Sequence, residues 1–244
     1  MTAQASARSE WIKLWSVRST WWCLASSVLL MAACAWTLGK DFVHDLENPA
    51  EQAVRDTTAT TMPLHEPLVL SALLAQFAVV AFAMLAMTGE YATGLIRSTL
   101  RAQPSRGRVL LAKVGVVGAV TFASGLVLGV AGLAAAQLGL SDYAVVDGGA
   151  TAGAVFRVAA YLTLVSAISV GMGAILRGGV GTMGAVLVLL VGPLLIAGPL
   201  SDYLPGTAGA TFLRDGTARD GIVLALWTAA VLAAAYTTLR RRDA

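Results

Sequence analysis

Charged residues are scarce in this sequence. Asp, Glu, Lys and Arg make up 13% of its 244 residues, about half of the share that soluble domains carry, and apolar residues make up 57%. The mean hydropathy is +0.74. This composition excludes an ordinary soluble domain. No run alternates apolar and polar residues as a barrel strand must, which argues against a transmembrane β-barrel.

Cysteine and histidine are rarer still, with two residues of each. Cys23 and Cys34 would lie about 16 Å apart along one helix, so they cannot bond to each other. The two histidines are 21 residues apart without an HExxH motif, and no metal site is expected. The GxxxxGK[ST] phosphate loop is missing as well, since Gly39-Lys40 is followed by Asp41. The chain is therefore not expected to hydrolyse ATP itself.

Uncharged sequence, in contrast, is abundant. Six runs without a charged residue have interiors of 19 to 28 residues, and each can cross a hydrocarbon core of about 30 Å as a helix. A charged residue at the centre of such a helix raises the free energy of membrane insertion by roughly 2.5–3.5 kcal/mol, which explains why the interiors of these runs contain none. We predict an all-α, polytopic membrane protein that forms a single domain over 1–244. Its spans are predicted at 20–39, 67–88, 113–138, 156–176, 179–199 and 221–239.

The remaining charges are distributed unevenly over the two sides of the membrane. If the N-terminus lies inside, the inner segments hold 12 of the 17 Lys and Arg residues but only 3 of the 14 Asp and Glu residues. This bias predicts a multi-pass protein of the cell membrane with both termini in the cytoplasm. Topology and contact with anionic membrane lipid thus explain the basic balance, and a nucleic-acid partner is not expected.

A short amphipathic helix is predicted at 9–18, before the first span. Its Trp residues, together with two at the start of the first span, are predicted to anchor the chain at the depth of the lipid headgroups. These anchors are Trp11, Trp15, Trp21 and Trp22. Glu10 and Lys13 are predicted on the opposite side of the helix from the anchoring face.

The segment between the second and third spans breaks the uncharged pattern. GEYATGLIRSTLRAQPSRGRVLLAK (89–113) carries five basic residues and one acid. Helical spacing puts Leu95, Ile96 and Leu100 on one face of a helix at 92–103, which ends at Pro104. Such a helix can lie on the bilayer or dock on a cytoplasmic partner, and the residue pattern alone favours neither.

The same loop resembles that of ABC type-2 exporter membrane subunits. The shared pattern is an acid at the end of span two, a Gly four residues later, a helix, Pro-Ser-Arg, and a Lys before span three. In this sequence it falls on Glu90, Gly94, Leu100, Pro104, Ser105, Arg106 and Lys113. The resemblance covers the whole chain, including the Pro- and Gly-rich outer segment 192–209. EWIKLWSVRSTWW (10–22) and LRRRDA (239–244) are similar to actinobacterial members in particular.

This resemblance implies a division of labour between subunits. Such permeases pair as homo- or heterodimers, form the path for an exported substrate, and each receives a separate ATPase subunit that uses ATP. The loop helix would be a coupling helix whose apolar face enters a groove of the ATPase. The residues assigned to this coupling are Glu90, Gly94, Leu95, Ile96, Leu100, Pro104 and Arg106. No cofactor is expected in this chain, and the substrate is not identified.

Other classes of protein stay open as alternatives. A secondary transporter usually needs ionisable side chains near the membrane midplane, and none of the six span interiors contains one. A membrane-embedded enzyme needs a nucleophile with a base, or metal ligands. Ser124, Ser166 and Ser169 lie in spans, but no His accompanies them. The permease is therefore placed first, ahead of a secondary transporter and then a membrane enzyme or assembly protein.

Overall fold

The computed structural model describes residues 3–48, 60–102, 105–196, 198 and 200–241. These residues are almost entirely helical. The α-helices are α1 (Ala3–Ser16), α2 (Arg18–Glu47), α3 (His65–Ala92), α4 (Leu95–Ala102), α5 (Arg106–Leu140), α6 (Gly148–Leu176), α7 (Gly179–Val191), α8 (Pro205–Asp215) and α9 (Ala218–Arg241). Two-residue strands, β1 (Met62–Pro63) and β2 (Ala144–Val145), pair in parallel and join the loops that precede α3 and α6.

Among the described residues, five helices are long and apolar enough to cross a membrane: α2, α3, α5, α6 and α9. The prediction of an all-α fold of the membrane type is thereby confirmed. The fifth predicted span, 179–199, differs from the others. Its α-helix, α7, has 13 residues and passes into a 3-10 turn at Gly192–Leu195. Pro193 lacks an amide hydrogen, which is consistent with the end of the α-helical pattern at this point.

Several helices extend beyond the predicted spans. The helix α2 continues past Lys40 to Glu47, so its last two turns carry charged residues. At the other spans, α5 begins at Arg106 and α6 begins at Gly148, both before the uncharged run. A helix is ended by its own capping chemistry and need not end where the hydrocarbon does. At α6, for example, Asp147 caps the N-terminus, because its Oδ1 accepts from the amides of Gly149 and Ala150.

The helices α3 and α6 form the centre of the bundle. They are the most buried of the long helices, and their apolar side chains supply much of the largest core, including Leu68, Val79, Leu162 and Ile168. The helices α2 and α5 pack around them, and α9 packs against α6. A buried hydrogen bond joins α3 and α6 across this core, in which the Tyr161 hydroxyl donates to Gln76 Oε1 at 2.5 Å.

Small residues allow the helices of this chain to approach closely. A Cβ atom at Gly125 would lie 2.6 Å from Ala159 Cα, and one at Gly139 would lie 2.6 Å from the Trp36 carbonyl oxygen. Real Cβ atoms do not come so close to backbone, so these positions need Gly. The first contact joins α5 to α6, and the second joins α5 to α2. Gly125 therefore packs within the chain.

The Pro- and Gly-rich segment after α7 folds back onto the bundle. A second 3-10 turn at Ser201–Tyr203 leads into α8, which begins at Pro205 and packs against α6, α7 and α9. A Cβ at Gly209 would lie 2.5 Å from Tyr161 Cε2, so α8 sits directly on the core tyrosine. Of the residues between the two turns, 197 and 199 lie outside the described part.

Candidate functional site

The residues predicted to act together lie at one end of the bundle. Here α3 and α6 end and α5 begins, and α9 ends beside the start of α5 because Arg106 Nη1 donates to the Leu239 carbonyl oxygen. We call this end the basic face. The guanidinium group of Arg177 lies over the Tyr91 ring at 5.4 Å here, which joins the ends of α6 and α3.

Gly94 determines how the chain leaves α3. Its φ of +72° lies in the left-handed region, which Gly adopts without the steric cost that other residues pay. The Thr93 amide donates to the Gly89 carbonyl oxygen at 3.1 Å, and the Gly94 amide donates to that of Tyr91 at 3.2 Å. These bonds give hydrogen-bond partners to carbonyl oxygens in the last turn of α3. A new helix, α4, starts at Leu95. Gly94 therefore sets the direction of α4 relative to α3.

Two acids and two lysines meet behind α4, and we call them the charge cluster: Glu10, Lys13, Glu90 and Lys113. Lys113 Nζ donates to Glu10 Oε2 at 2.5 Å, to Glu90 Oε1 at 3.0 Å and to the Ala86 carbonyl oxygen at 3.1 Å. An ammonium group has three protons, so Lys113 uses all of them.

The second lysine of the cluster is bonded in the same way. Lys13 Nζ donates to Glu10 Oε1 at 2.8 Å, to Glu90 Oε1 at 3.0 Å and to Thr99 Oγ1 at 3.1 Å. Glu10 and Lys13 belong to α1, Glu90 to α3, Thr99 to α4 and Lys113 to α5. The charge cluster therefore joins four helices, and Thr99 is the point at which α4 is attached to it.

Most side chains of the charge cluster are buried, so the loss of one of these contacts would be costly for stability. The side chains of Glu10, Glu90 and Lys113 are exposed by only 6%, 8% and 4%, and that of Lys13 by 37%. Two negative and two positive groups give no net charge, so no buried charge is left uncompensated. Removing one partner from a buried ion pair typically costs about 3–5 kcal/mol. The cluster is thus a strong constraint on how the four helices lie against one another.

The two groups on α1 are held in their charged forms. Burial opposes the ionisation of Glu10, but the nearby ammonium groups of Lys113 and Lys13 outweigh it, and the pKa of Glu10 is lowered from its ordinary value. Burial likewise opposes the charge of Lys13, but hydrogen bonds to Glu10 and Glu90 outweigh it and raise the pKa of Lys13. Both groups are therefore ionised at neutral pH.

An apolar cavity of about 250 Å³ opens beside the charge cluster. Its wall includes Leu14, Phe82 and Val117, and exposed apolar residues such as Val17 stand at its edge. Glu90 Oε2 is buried and has no hydrogen-bond partner among the described residues. The space exceeds the roughly 150 Å³ of an engineered apolar cavity that takes up benzene.

The helix α4 divides its apolar residues between two directions. Leu95 is 54% exposed, whereas Ile96 is only 4% exposed and is buried within this chain. Ile96 is already covered by other residues of this chain, so in this structure it is not available to a partner, whereas Leu95 is. The predicted contact face, in which both residues enter the groove of an ATPase, stays a prediction, and in this structure Leu95 is the exposed one of the two. Ser98 is exposed beside Leu95. The side chain of Leu100 and the whole of Pro104 lie outside the described residues.

The structure gives two other predicted coupling residues roles inside this chain. Glu90 is buried in the charge cluster, and Arg106 joins the start of α5 to the end of α9. Neither position presents a simple exposed surface to a partner. Of the seven residues assigned to coupling from sequence, Leu95 is the one whose described side chain is clearly available for contact.

The Trp residues cluster where α1 meets α2. The Trp15 ring lies 5.6 Å from that of Trp11 and 4.8 Å from that of Trp21. The exposed fractions of Trp11, Trp21 and Trp22 are 48%, 60% and 75%. The helix α1 ends at Ser16, two residues before the predicted end of the N-terminal helix. An exposed aromatic group at a helix corner suits the headgroup region, and the anchoring role stays a prediction.

Sequence reasoning named Glu10, Lys13 and Lys113 but did not predict that they pair with one another and with Glu90. It placed Glu10 and Lys13 on the side of α1 away from the anchoring face, whereas Glu10 is buried in the protein. A signal was present in the charges. Glu90 is the one acid among five bases in 89–113, and Glu10 is the one acid before the first span. An isolated acid on the positive side of a membrane protein is a candidate for pairing with a buried base.

In the part of the chain that the structure describes, no group of three or more His, Cys, Asp or Glu side chains is placed to hold a metal ion. No protein-family model matches this chain, and no curated protein matches it.

Proposed function

We propose that this chain is the membrane-spanning permease subunit of an ABC exporter and that a separate ATPase subunit drives it. The observation that carries the proposal is the position of α4. This helix lies at the basic face between two long apolar helices, exposes Leu95, and is bonded through Thr99 to the charge cluster. The resemblance of residues 90–113 to the coupling loop of type-2 exporters points to the same function.

The charge cluster gives the proposal a mechanism. An ATPase that moves on binding or hydrolysing ATP would displace α4, and the Lys13–Thr99 contact would pass this displacement to α1. Lys113 and Glu90 would pass it on to α5 and α3. Because buried ionic contacts are costly to break, such a displacement is transmitted to the spans and not absorbed locally. This chain would supply the contact and the path, and the partner would supply the hydrolysis.

The proposed assembly follows from the apolar surfaces and the charge bias. The helices α2 and α9 are the least buried of the long helices, and residues such as Leu29 and Leu226 face outward. They would contact lipid and a second permease subunit, identical or different. The basic face and both termini would lie in the cytoplasm, in the cell membrane. The helix α7 with its 3-10 turn, about 27 Å long, would be the fifth of six spans along the chain.

A secondary transporter is the second candidate, and one observation favours it. Buried carboxylates in membrane proteins often take part in proton or ion coupling, and Glu90 Oε2 is buried without a partner among the described residues. The carboxylate, however, belongs to a cluster with balanced charge at the ends of helices, away from the middle of the spans. A membrane enzyme comes third. Ser166 Oγ contacts Thr121 Oγ1 at 3.0 Å, and neither His of the chain lies in α5 or α6.

A substitution at Leu95 tests the permease function. The tagged full chain is purified in mild detergent together with the proteins that it retains, and an ATPase among them is identified and quantified. Leu95→Asp removes an exposed apolar contact and places a charge in the interface. We expect about tenfold less retained ATPase, because a half-exposed leucine contributes roughly 1–1.5 kcal/mol when its remaining surface is buried. ATP hydrolysis by the complex should fall in parallel.

Ile12→Asp is the matched control. Ile12 is 60% exposed on α1 and lies outside α4, so it undergoes the same change of chemistry near the same face. We expect normal retention of the ATPase with this variant. If α4 merely lies on lipid, the two variants will retain equal amounts of ATPase. If no ATPase co-purifies with the wild-type chain, the permease proposal is wrong.

A further inference from the structure

A second cavity lies between the start of α5 and the end of α9, and we call it the arginine groove. Its volume is about 790 Å³. Three arginines line it: Arg106, Arg108 and Arg240. Its other walls are largely apolar and include Leu111, Val114, Leu232 and Tyr236. Guanidinium groups and an apolar wall in one groove are the two chemical features that a phospholipid needs.

Contacts between the two helices hold the groove in shape. A Cβ atom at Gly107 would lie 2.7 Å from Tyr236 Cε2, so α5 approaches this ring as closely as a Gly allows. Arg106 Nη1 donates to the Leu239 carbonyl oxygen on the other helix. The groove is therefore built from two helices that are fixed to each other, and a ligand would not have to order them.

Two of the three arginines in the groove carry a positive charge that the described residues do not neutralise. Arg108 and Arg240 are both exposed, and neither forms an ion pair with a described carboxylate. The Arg240 guanidinium lies over the Tyr236 ring at 5.6 Å, a stacking contact that leaves its N–H groups able to donate. Guanidinium groups bind phosphate oxygens through charge-assisted hydrogen bonds.

The apolar wall lies at the depth where an acyl chain would begin. Along α5, Leu111 and Val114 are about 4.5 Å and 9 Å further into the bundle than Arg108, and Leu232 is about 12 Å from Arg240 along α9. Leu111 is 70% exposed. The arginines thus stand at the basic face, and the apolar residues continue from them toward the middle of the spans. A phospholipid has the same order of groups, with its phosphate at the surface and its chains below.

We propose that the arginine groove binds one anionic phospholipid, with the headgroup phosphate at Arg108 and Arg240 and an acyl chain along Leu111, Val114 and Leu232. Charge complementarity selects the ligand. A net negative headgroup neutralises the groove, whereas a zwitterionic headgroup brings its own cation next to two guanidinium groups. The proposal requires only that the chain lies in a membrane, so it stands or falls independently of the ATPase partner.

The test compares two lipids with identical acyl chains. Phosphatidylglycerol or phosphatidylcholine is titrated against the full chain in mild detergent, and bound lipid is counted by native mass spectrometry. We expect one phosphatidylglycerol to bind in preference to phosphatidylcholine. Arg108→Gln with Arg240→Gln should weaken phosphatidylglycerol binding by roughly 10- to 30-fold, because each basic residue near a charged lipid contributes about 1 kcal/mol. Arg108→Gln alone should give an intermediate loss.

Arg8→Gln with Arg18→Gln is the matched control. Both residues are exposed near the basic face, and the same two charges are removed without touching the groove. We expect less than about a threefold change. Equal losses in the two double variants would mean general surface attraction and would overturn the site, as would equal binding of the two lipids. A third arm uses inorganic phosphate alone. If it displaces the lipid while Leu111→Ala has no effect, the groove binds free phosphate and the lipid assignment is wrong.

Discussion

Replacing Lys113 tests the most buried contact of the candidate site. Lys113→Met keeps a long side chain but removes the ammonium group that contacts Glu10, Glu90 and the Ala86 carbonyl oxygen. Two carboxylates then share Lys13 alone, and a buried negative charge is left uncompensated. Breaking a buried ion pair in this way costs about 3–5 kcal/mol. The loss is large because Lys113 is only 4% exposed, so water cannot replace it.

Thermal unfolding of the purified chain in one detergent measures this loss. For a chain of about this length, each kcal/mol changes the Tm by roughly 2–4 °C. Lys113→Met is therefore expected to lower the Tm by about 6–20 °C. Lys40→Met removes the same group at an exposed position of α2 and is expected to change stability by no more than about 0.5 kcal/mol.

A double variant separates charge from packing. Glu10→Gln in the Lys113→Met background removes the uncompensated charge and leaves Lys13 paired with Glu90. Replacing both partners of a buried pair is far less costly than removing one, so more than half of the lost Tm should return. If Lys113→Met costs no more than Lys40→Met, or if Glu10→Gln adds a further loss of its own, the cluster does not hold the four helices together.

Two further predictions concern pH and orientation. The lowered pKa of Glu10 means that its contribution to stability is present above about pH 4.5 and is lost as the pH falls through the folded-state pKa. The raised pKa of Lys13 means that its contribution is present below about pH 10.5 and is lost as the pH rises further. The Tm difference between wild type and Glu10→Gln should therefore shrink on acidification below about pH 4.5, and a constant difference would contradict the ion pairing. The charge bias predicts that the basic face lies inside. With Cys23 and Cys34 replaced by Ser, a cysteine at Lys40 should therefore react with an impermeant thiol reagent on intact cells, and one at Ser98 should not. The reverse pattern would show the opposite orientation.

The transmembrane character of the fold could be predicted because charge is so costly in hydrocarbon. Five of the six uncharged runs coincide with a helix that is long and apolar enough to cross a membrane, and these runs can be recognised without knowing what packs beside them. The structure departs from the predicted spans where contacts between distant parts of the chain determine the path of the backbone. Pro193 lies where α7 changes to a 3-10 turn. No sequence pattern predicts the helix α8, because it packs through small residues such as Gly209, which meets Tyr161 from a distant part of the sequence.

The position of the candidate site could be predicted, but its inner construction could not. The loop after α3 attracts attention because its charges interrupt apolar sequence, and the structure places an exposed Leu95 there. The contact between Lys113 and Glu10 joins residues 103 positions apart. No local pattern reports such a pairing, and spacing along one helix orders residues only relative to each other. It cannot tell which stripe of that helix meets the protein.

The helix α1 illustrates the point physically. Ser6, Glu10 and Leu14 follow one another at four-residue intervals, and all three are buried, so burial on α1 has helical periodicity although polarity does not. In lipid, apolar side chains gain little by choosing a helix neighbour over a lipid tail, so they specify the rotation of a helix only weakly. A buried carboxylate that must find its ammonium partner specifies it strongly. In a chain with so few charges, the charge cluster is thus well suited to fix how α1, α3, α4 and α5 are turned toward one another. The hydrogen bond from Lys13 to Thr99 connects α4 to that arrangement.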